Sequence, residues 1–187
     1  MPSIDRKTFI TLGLAAGAAL VTGGLSTAQA ASGPEIDADV DATLSRFYHQ
    51  VGGSRDLVHR AAGTLVFPSI VKAGIGIGGE YGEGALRIRG RTAAYFNTVS
   101  ASVGFQLGVQ ARSVIIVFMT EEALESFRRK HGWKVGVDGS VAIITIGAGG
   151  AIDTNQIKQP VVGFIIDNKG LMYNLTLEGS KISRINR

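Results

Sequence analysis

Apolar side chains recur with two different periods along the chain after residue 30. Between residues 36 and 62 they follow helical spacing, as at Leu44, Phe47 and Val51, which predicts two short amphipathic helices. From Leu65 onward they form short runs or strict alternation bounded by glycine and polar turns, which is typical of strands. The predicted helices cover residues 36–50 and 54–62, and the predicted strands cover 85–89, 92–100, 101–111, 114–119, 141–146, 161–166, 171–177 and 182–185.

One further helix is predicted within the strand-rich region. Thr120 can cap its first turn, and Gly132 is the expected terminator. Acidic side chains fall in its first turn and basic ones in its last, as the helix dipole favours. These charged residues are Glu121, Glu122, Arg128, Arg129, Lys130 and His131.

Short polar loops join most of the predicted strands. Residues 167–170, Asp-Asn-Lys-Gly, are a typical tight hairpin turn between two apolar runs. Such connections favour antiparallel neighbours, with the helices packed on the core at one side or end of the sheet. We therefore expect an α+β fold: a strongly curved, partly closed, mainly antiparallel sheet with two N-terminal helices and one inserted helix.

The first 30 residues have the pattern of a secretory signal peptide. Arg6 and Lys7 precede an uncharged apolar run over residues 8–21, and Ala28-Gln29-Ala30 matches a cleavage signature. This apolar run is shorter than a membrane-spanning anchor requires. The basic residues before it are compatible with both the general secretory and the twin-arginine export routes. We expect cleavage near Ala30 and a periplasmic or secreted protein, open to membrane association. The expected organisation is a signal peptide at 1–30, a tether at 31–35 and a single domain at 36–187.

Composition and residue spacing argue against several classes of site. The chain has no cysteine, which excludes disulfides and thiol chemistry, and its formal net charge of +4 is too modest to indicate a nucleic-acid partner. His49, His59 and His131 lie far apart in the sequence, without partners typical of catalysis. The acidic residues at 37–41 resemble the start of a calcium loop, but Ala42 stands where glycine is needed. We predict no catalytic residue, no metal and no cofactor.

The glycine-rich stretch KAGIGIGGEYGEG, residues 72–84, raises the question of a phosphate cradle. Gly74, Gly76 and Gly79 fit the spacing G-x-G-x-x-G, but that motif needs a helix directly after it. Residues 80–84 are too rich in glycine to continue as a helix, and we expect Glu80 and Glu83 to lie in a solvated turn. Period two instead places Gly74, Gly76 and Gly78 on one bare strand face, which predicts closely packed backbone there.

A second stretch, SASVGFQLGVQA at residues 100–111, carries small and amide side chains on one predicted strand face. Lysine and glutamate would be expected on a plain solvent face. The pattern is typical of the interior of a small barrel or of a covered polar groove.

These stretches carry a resemblance to the SYLF domain family. FPSIVKAGIGIGGEYGEGAL, then GFQLGVQ, then GLMYNLTLEGSKI resemble the bacterial branch of that family, roughly over residues 57–185. The resemblance implies binding of phosphoinositides or other anionic lipids, with actin binding in some eukaryotic members. The family usually has lysine where this chain has Ala62. The residues at characteristic positions are Phe67, Pro68, Lys72, Ala73, Gly74, Gly79, Tyr81, Gly82, Gly84, Gly104, Gln106, Gly108, Gln110, Glu178, Gly179 and Ser180.

Basic side chains are the candidate lipid contacts. Arg87, Arg89 and Arg91 share one strand face if the strand continues through Gly90, and three guanidiniums can bind phosphate oxygens; a solvated edge strand is the alternative. The candidates are Lys72, Arg87, Arg89, Arg91, Arg128, Arg129 and Lys130.

We predict a non-catalytic module of the bacterial cell envelope that binds anionic lipid. The alternatives are an envelope protein that holds a protein partner in its groove and, third, a hydrolase. The sequence does not predict an oligomeric state.

Overall fold

The computed structural model describes residues 30–104, 110–144, 151–167, 170–171 and 177–187, with backbone alone for 73–77, 102–104, 110, 167 and 170–171. Within these residues the chain forms three helices and eight strands. The helices are α1 (Gly33–Gln50), α2 (Ser54–Arg60) and α3 (Glu121–Arg128). The strands are β1 (Gly63–Ile88), β2 (Arg91–Gly104), β3 (Gln110–Phe118), β4 (Gly132–Lys134), β5 (Ala142–Ile143), β6 (Val161–Asp167), β7 (Gly170–Leu171) and β8 (Lys181–Ile185).

The strands belong to one sheet, which curls into a half-barrel. Their order is β4-β8-β2-β1-β3-β6-β5, and β7 pairs with β6. The pairs are antiparallel, with the exception of β5 and β6, which run parallel. The predicted α+β class, the curved and mainly antiparallel sheet and the two N-terminal helices with one inserted helix are confirmed.

The glycine-rich stretch lies inside β1, a single strand of 26 residues. The first part of β1 pairs with β3 and the second part with β2, where Glu80 lies opposite Ser100 and Gly84 opposite Phe96. The predicted turn at residues 80–84 is therefore wrong. Glycine weakens an isolated strand, but here β2 supplies the hydrogen-bond partners that hold those residues extended.

Closely packed backbone does occur against glycines of β1, but at other positions than predicted. A methyl group at Gly82 would lie 2.7 Å from Ser69 O, and one at Gly84 would overlap the Val66 carbonyl. The two parts of the same strand thus approach each other where the sheet curls. The prediction was made for the strand face that includes Gly74 and Gly76. Only the backbone of these two residues is described, so the packing against them is not described.

Two cores lie on opposite faces of the sheet because successive residues of each strand point to opposite sides. One core contains Leu65, Phe67 and Ile116, with Leu124 and Phe127 of α3. The other covers the opposite face under α1 and α2. It contains Ile36, Val40, Leu44, Phe47, Val51, Leu57, Val66, Ile115, Val117 and Phe164. Both N-terminal helices therefore pack on the core, as expected.

The ends of the helices differ from the predictions. α1 begins at Gly33, because Pro34 suits a first turn and Ser32 forms a capping box with Glu35, so residues 33–35 are helical and not a tether. α2 has Gly53 as its N-cap, and the predicted cap, Ser54, lies in its first turn. The Ser54 hydroxyl lies 2.6 Å from Val51 O, to which it donates.

Helix α3 is capped as predicted: Thr120 Oγ1 accepts a hydrogen bond from Ala123 N at 3.2 Å. It ends at Arg128, earlier than expected, and Gly132 starts strand β4. None of the helices in the described ranges is long and apolar enough to cross a membrane.

The later strands β6 and β8 agree with the predicted strands 161–166 and 182–185 to within one residue. Residues 142–143 form β5, and residues 170–171 form β7, in which Gly170 pairs with Asp167 as the predicted hairpin requires. Residues 168–169, at the turn itself, and 172–176, in the predicted strand 171–177, lie outside the described residues. The predicted strand 101–111 is divided between β2 and β3, and its middle, residues 105–109, also lies outside them.

Candidate functional site

Arg87, Arg89 and Arg91 do not share one strand face. Arg89 and Gly90 have positive φ angles of 50° and 76° and form a two-residue turn, with Ile88 paired to Arg91 across it. Arg91 is exposed at the start of β2, whereas Arg87 is largely buried in β1. The prediction of a single three-arginine face is wrong, because a tight hairpin turn replaces the expected continuous strand.

Arg87 attaches helix α1 to the sheet. Its Nη2 lies 2.7 Å from Asp41 Oδ1 and also donates to Asp37 O at 3.1 Å. The Asp37 carboxylate in turn accepts hydrogen bonds from Thr92 Oγ1 at 2.6 Å and Tyr95 Oη at 2.9 Å. Burial, together with the hydrogen bond to Asp37, raises the pKa of Tyr95. Arg87 and the acidic residues of α1 thus have a structural role.

We expect Arg87→Gln to lower the free energy of unfolding by about 1–2 kcal/mol, because it removes a charged hydrogen-bond donor from a largely buried position. Arg91→Gln is the matched control and should change it by less than about 0.5 kcal/mol, since Arg91 is exposed and has no ion pair among the described residues. Urea denaturation measures both. Equal effects would contradict the structural role of Arg87.

The other predicted cations are divided between paired and unpaired side chains. Arg128 Nη1 lies 2.7 Å from Glu125 Oε1, and Lys130 Nζ lies 3.1 Å from Asp138 Oδ1. Arg129 is exposed next to them, and Lys72 lies half-buried in β1. Neither Lys72 nor Arg129 has an ion pair among the described side chains. The seven candidates therefore lie on several elements and do not form one cluster.

A pocket of about 560 Å³ lies between α1, α2 and the β1–β2 turn. Apolar side chains of Leu44 and Val58 line it, together with Ala61. Arg55 and His59, one turn apart on α2, line it as well, together with Arg89 at the turn. The pocket thus combines apolar surface with cationic or titratable side chains.

The cationic side of this pocket is partly preorganised. The Arg55 guanidinium lies 4.6 Å from the centre of the Tyr48 ring, in a cation–π arrangement that leaves it free of a carboxylate partner among the described residues. Burial raises the pKa of Tyr48, so its ring stays neutral at physiological pH. Arg87 and Asp41 also line the pocket, but they pair with each other. Arg55 and Arg89 are therefore the cations that can bind a ligand.

Sequence reasoning identified Arg89 but missed Arg55, and it considered His59 only as a catalytic residue and set it aside. The spacing of four residues between Arg55 and His59 puts both on one face of α2, and that signal was present in the sequence. Nothing in the sequence, however, indicated that this face lies beside the β1–β2 turn. The tertiary structure alone brings the three side chains together.

The carboxylates of β1 are largely buried, and the expectation that they are solvated is wrong. Glu80 forms a two-point pair with Arg112, at 3.1 and 2.6 Å, and also accepts from Ser100 Oγ. Glu83 pairs with Arg187 and accepts a hydrogen bond from Tyr81 Oη at 2.6 Å. Burial by itself raises the pKa of Glu83, but the Arg187 and Tyr81 hydrogen bonds outweigh it and lower the pKa.

The residues at family positions serve mostly to shape the sheet. Phe67 lies in the core, and Pro68 O accepts a hydrogen bond from Ser113 Oγ at 2.6 Å. Gly179 has a φ of 81° in a turn before the buried Ser180. Glu178 is exposed in that turn and Tyr81 is exposed on β1. Gly74, Gly79, Gly82, Gly84, Gly104 and Gln110 lie in strands β1, β2 and β3, whereas Gln106 and Gly108 lie outside the described residues.

No group of histidine and acidic side chains in the described part of the chain is arranged to hold a metal ion. His49, His59 and His131 lie on separate elements and are exposed.

Comparison with known proteins supports the family expectation. Residues 99–186 match a family model described as "Ysc84: Las17-binding protein actin regulator". A search of the curated proteins found no significant match. The matched range runs from β2 to the end of β8 and includes the motif residues Gly104 and Gly179. Through these residues the chain is similar to the Ysc84, or SYLF, domain family.

Proposed function

We propose that this domain is a non-catalytic module that binds anionic lipid at a bacterial cell envelope. The observation that carries the proposal is the pocket between α1, α2 and the β1–β2 turn, where apolar Leu44 and Val58 lie beside the cations Arg55 and Arg89. An anionic lipid has the matching chemistry, because it joins a negative head group to an apolar chain. Guanidiniums can donate two hydrogen bonds to one phosphate group.

The match of residues 99–186 to the family model agrees with this proposal. The family description names a protein partner and actin regulation, and neither is carried over to this chain. The location rests on the sequence pattern of residues 1–30, which predicts export to the periplasm or secretion. An anionic membrane surface would then be the nearest source of such a ligand.

The test compares vesicle binding by residues 31–187 with that of two double variants. Arg55→Gln/Arg89→Gln should weaken sedimentation with phosphatidylglycerol vesicles about 30-fold at low salt, since each cation near an anionic surface contributes about 1 kcal/mol. Higher salt should weaken wild-type binding in the same direction, because it screens the same attraction.

Arg91→Gln/Arg129→Gln is the matched control for this test. It removes the same net charge from two exposed positions outside the pocket and should retain most of the binding. Circular dichroism and urea denaturation check that both variants fold. Equal loss in the two variants would mean that net charge, and not the pocket, attracts the protein. Absence of binding by the wild type at low salt would contradict the lipid proposal itself.

A protein partner is the second candidate function, and an exposed apolar pair favours it. Tyr81 and Val99 lie opposite each other on β1 and β2, with exposed fractions of 47% and 49%. Adjacent exposed side chains of this kind offer an apolar contact to a partner surface. Tyr81→Ser/Val99→Ser should leave vesicle binding unchanged if the pocket binds lipid and this pair serves a partner.

A further inference from the structure

Arg46 of α1 is a half-buried guanidinium without a counter-charge. Its Nη2 donates to Ser113 Oγ at 3.0 Å and, more weakly, to Thr43 Oγ1 at 3.4 Å. Its Nε is buried and has no hydrogen-bond partner. No carboxylate of the described residues lies within 4 Å of its nitrogens. Among the described residues, the hydrogen-bond acceptors of Arg46 are therefore neutral hydroxyls.

This situation differs from that of the other buried arginines in the described residues. Arg87 and Arg112 have side chains that are 13% and 14% exposed, and each binds a carboxylate. A buried cation loses hydration, and neutral hydroxyls restore only part of that loss. A negatively charged group beside Arg46 would restore much more of it.

A pocket of about 220 Å³ lies directly beside Arg46. Arg112, Ser113, Pro68 and Ser69 also line it. Both terminal nitrogens of Arg112 bind Glu80, while its Nε is buried without a partner. Two guanidiniums and one carboxylate leave a net positive charge at this pocket, next to the Ser69 hydroxyl, which can donate a hydrogen bond.

A strand irregularity shapes this pocket. Phe67 pairs with Val114 and Ile70 with Arg112, so Pro68 and Ser69 together lie opposite the single residue Ser113. Pro68 has no N–H to donate to the neighbouring strand, which accounts for a bulge at this position. The bulge brings Ser69 and the Pro68 carbonyl to the pocket and holds the Ser113 hydroxyl at 2.6 Å from that carbonyl.

We infer that the pocket formed by Arg46, Arg112, Ser69 and Ser113 is a binding site for a phosphate group. It is lined by different residues than the pocket of the proposed function and does not depend on it. The Arg46 guanidinium supplies the charge and charged donors, and the Ser69 hydroxyl supplies a neutral donor. The shared chemistry is a phosphate oxyanion, which a free phosphate or a lipid head group can provide.

Isothermal titration of residues 31–187 with inorganic phosphate tests this inference, with chloride of equal ionic strength as the reference. We expect saturable phosphate binding that Arg46→Gln weakens at least tenfold. Arg129→Gln, an exposed cation on another surface, is the matched control and should bind as the wild type does. Phosphate binding no better than chloride, or equal affinity in Arg46→Gln, would overturn the inference.

Ser69→Ala covers the case in which Arg46→Gln does not fold. Ser69 is exposed and makes no side-chain hydrogen bond among the described residues, so its replacement should leave stability unchanged while weakening phosphate binding several-fold. Amide chemical shifts on titration should change first at residues 69 and 111–113. Changes confined to other residues, or an unaltered affinity in Ser69→Ala, would contradict the site.

Glycerol 3-phosphate and phosphatidylglycerol vesicles distinguish the two sources of the phosphate group. If Arg46→Gln loses binding of the soluble phosphates but sediments with vesicles as the wild type does, the site binds a soluble ligand. If Arg46→Gln loses both phosphate binding and vesicle sedimentation, the site binds a lipid head group. Either result supports a phosphate site, and both are distinct from failure of the lipid proposal, in which the wild type binds no vesicles.

Discussion

Gly84→Ala should destabilise the domain by about 4 kcal/mol or more, enough to prevent stable folding in many backgrounds. A methyl group at this position would overlap the Val66 carbonyl oxygen and would lie 2.8 Å from its carbon and 2.9 Å from Phe67 Cδ1. The obstacle is mainly backbone, which cannot rotate away as a side chain can. Overpacking of a core by smaller overlaps already costs about 1–3 kcal/mol. Urea denaturation measures the loss, or poor soluble expression reports it.

Gly79→Ala is the matched control, because it adds the same methyl group to the same strand. The nearest atom to that methyl group would be Ser100 O at 3.7 Å, which is an ordinary van der Waals distance. We expect a change of less than about 0.5 kcal/mol, as for most exposed substitutions. A Gly84→Ala variant as stable as Gly79→Ala would contradict the close approach of the two parts of β1.

Breaking the Glu80–Arg112 pair should have the second largest effect. Both side chains are largely buried, with exposed fractions of 11% for Glu80 and 14% for Arg112. Glu80→Gln leaves the Arg112 charge without a partner in that environment, and we expect a loss of about 3 kcal/mol. Arg112→Gln should cost a similar amount for the same reason. Thermal and urea denaturation measure both variants.

The double variant Glu80→Gln/Arg112→Gln separates charge pairing from packing. It removes both charges, so its loss should be smaller than the sum of the two single losses by about 2 kcal/mol. Glu125→Gln is the surface control, because Glu125 and Arg128 are 46% and 48% exposed and such pairs contribute little. Additive losses in the double variant would show that Glu80 and Arg112 act independently.

Several features of this fold could be predicted because they depend on neighbours in sequence. The cap at Thr120 requires only a hydroxyl three residues before an amide, and the strand alternation from Leu65 onward depends on period two alone. The sequence also predicted that backbone packs closely against glycines of the stretch 72–84. The position of this packing at Gly82 and Gly84, however, depends on where β1 bends, and that depends on its pairing with both β2 and β3.

The candidate site was much less predictable than the fold. Arg89 was found as a cation, but its neighbours were sought along one strand, whereas the turn at Arg89 and Gly90 places it beside α2. The seven cations were judged by charge and local spacing. Which of them bind carboxylates, as Arg87 does, depends on elements distant in the sequence.

The sequence by itself determined the α+β class, the resemblance to the SYLF family and the candidate set of basic residues, since composition, periodicity and motifs are local properties. The tertiary structure alone decided that Glu80 binds Arg112, that Arg55 and Arg89 line one pocket, and that Arg46 lacks a carboxylate. The physical reason is that a charge acts through space over a few ångströms. Residues 46 and 113, or 55 and 89, come within that distance only when the sheet curls and the helices pack on it.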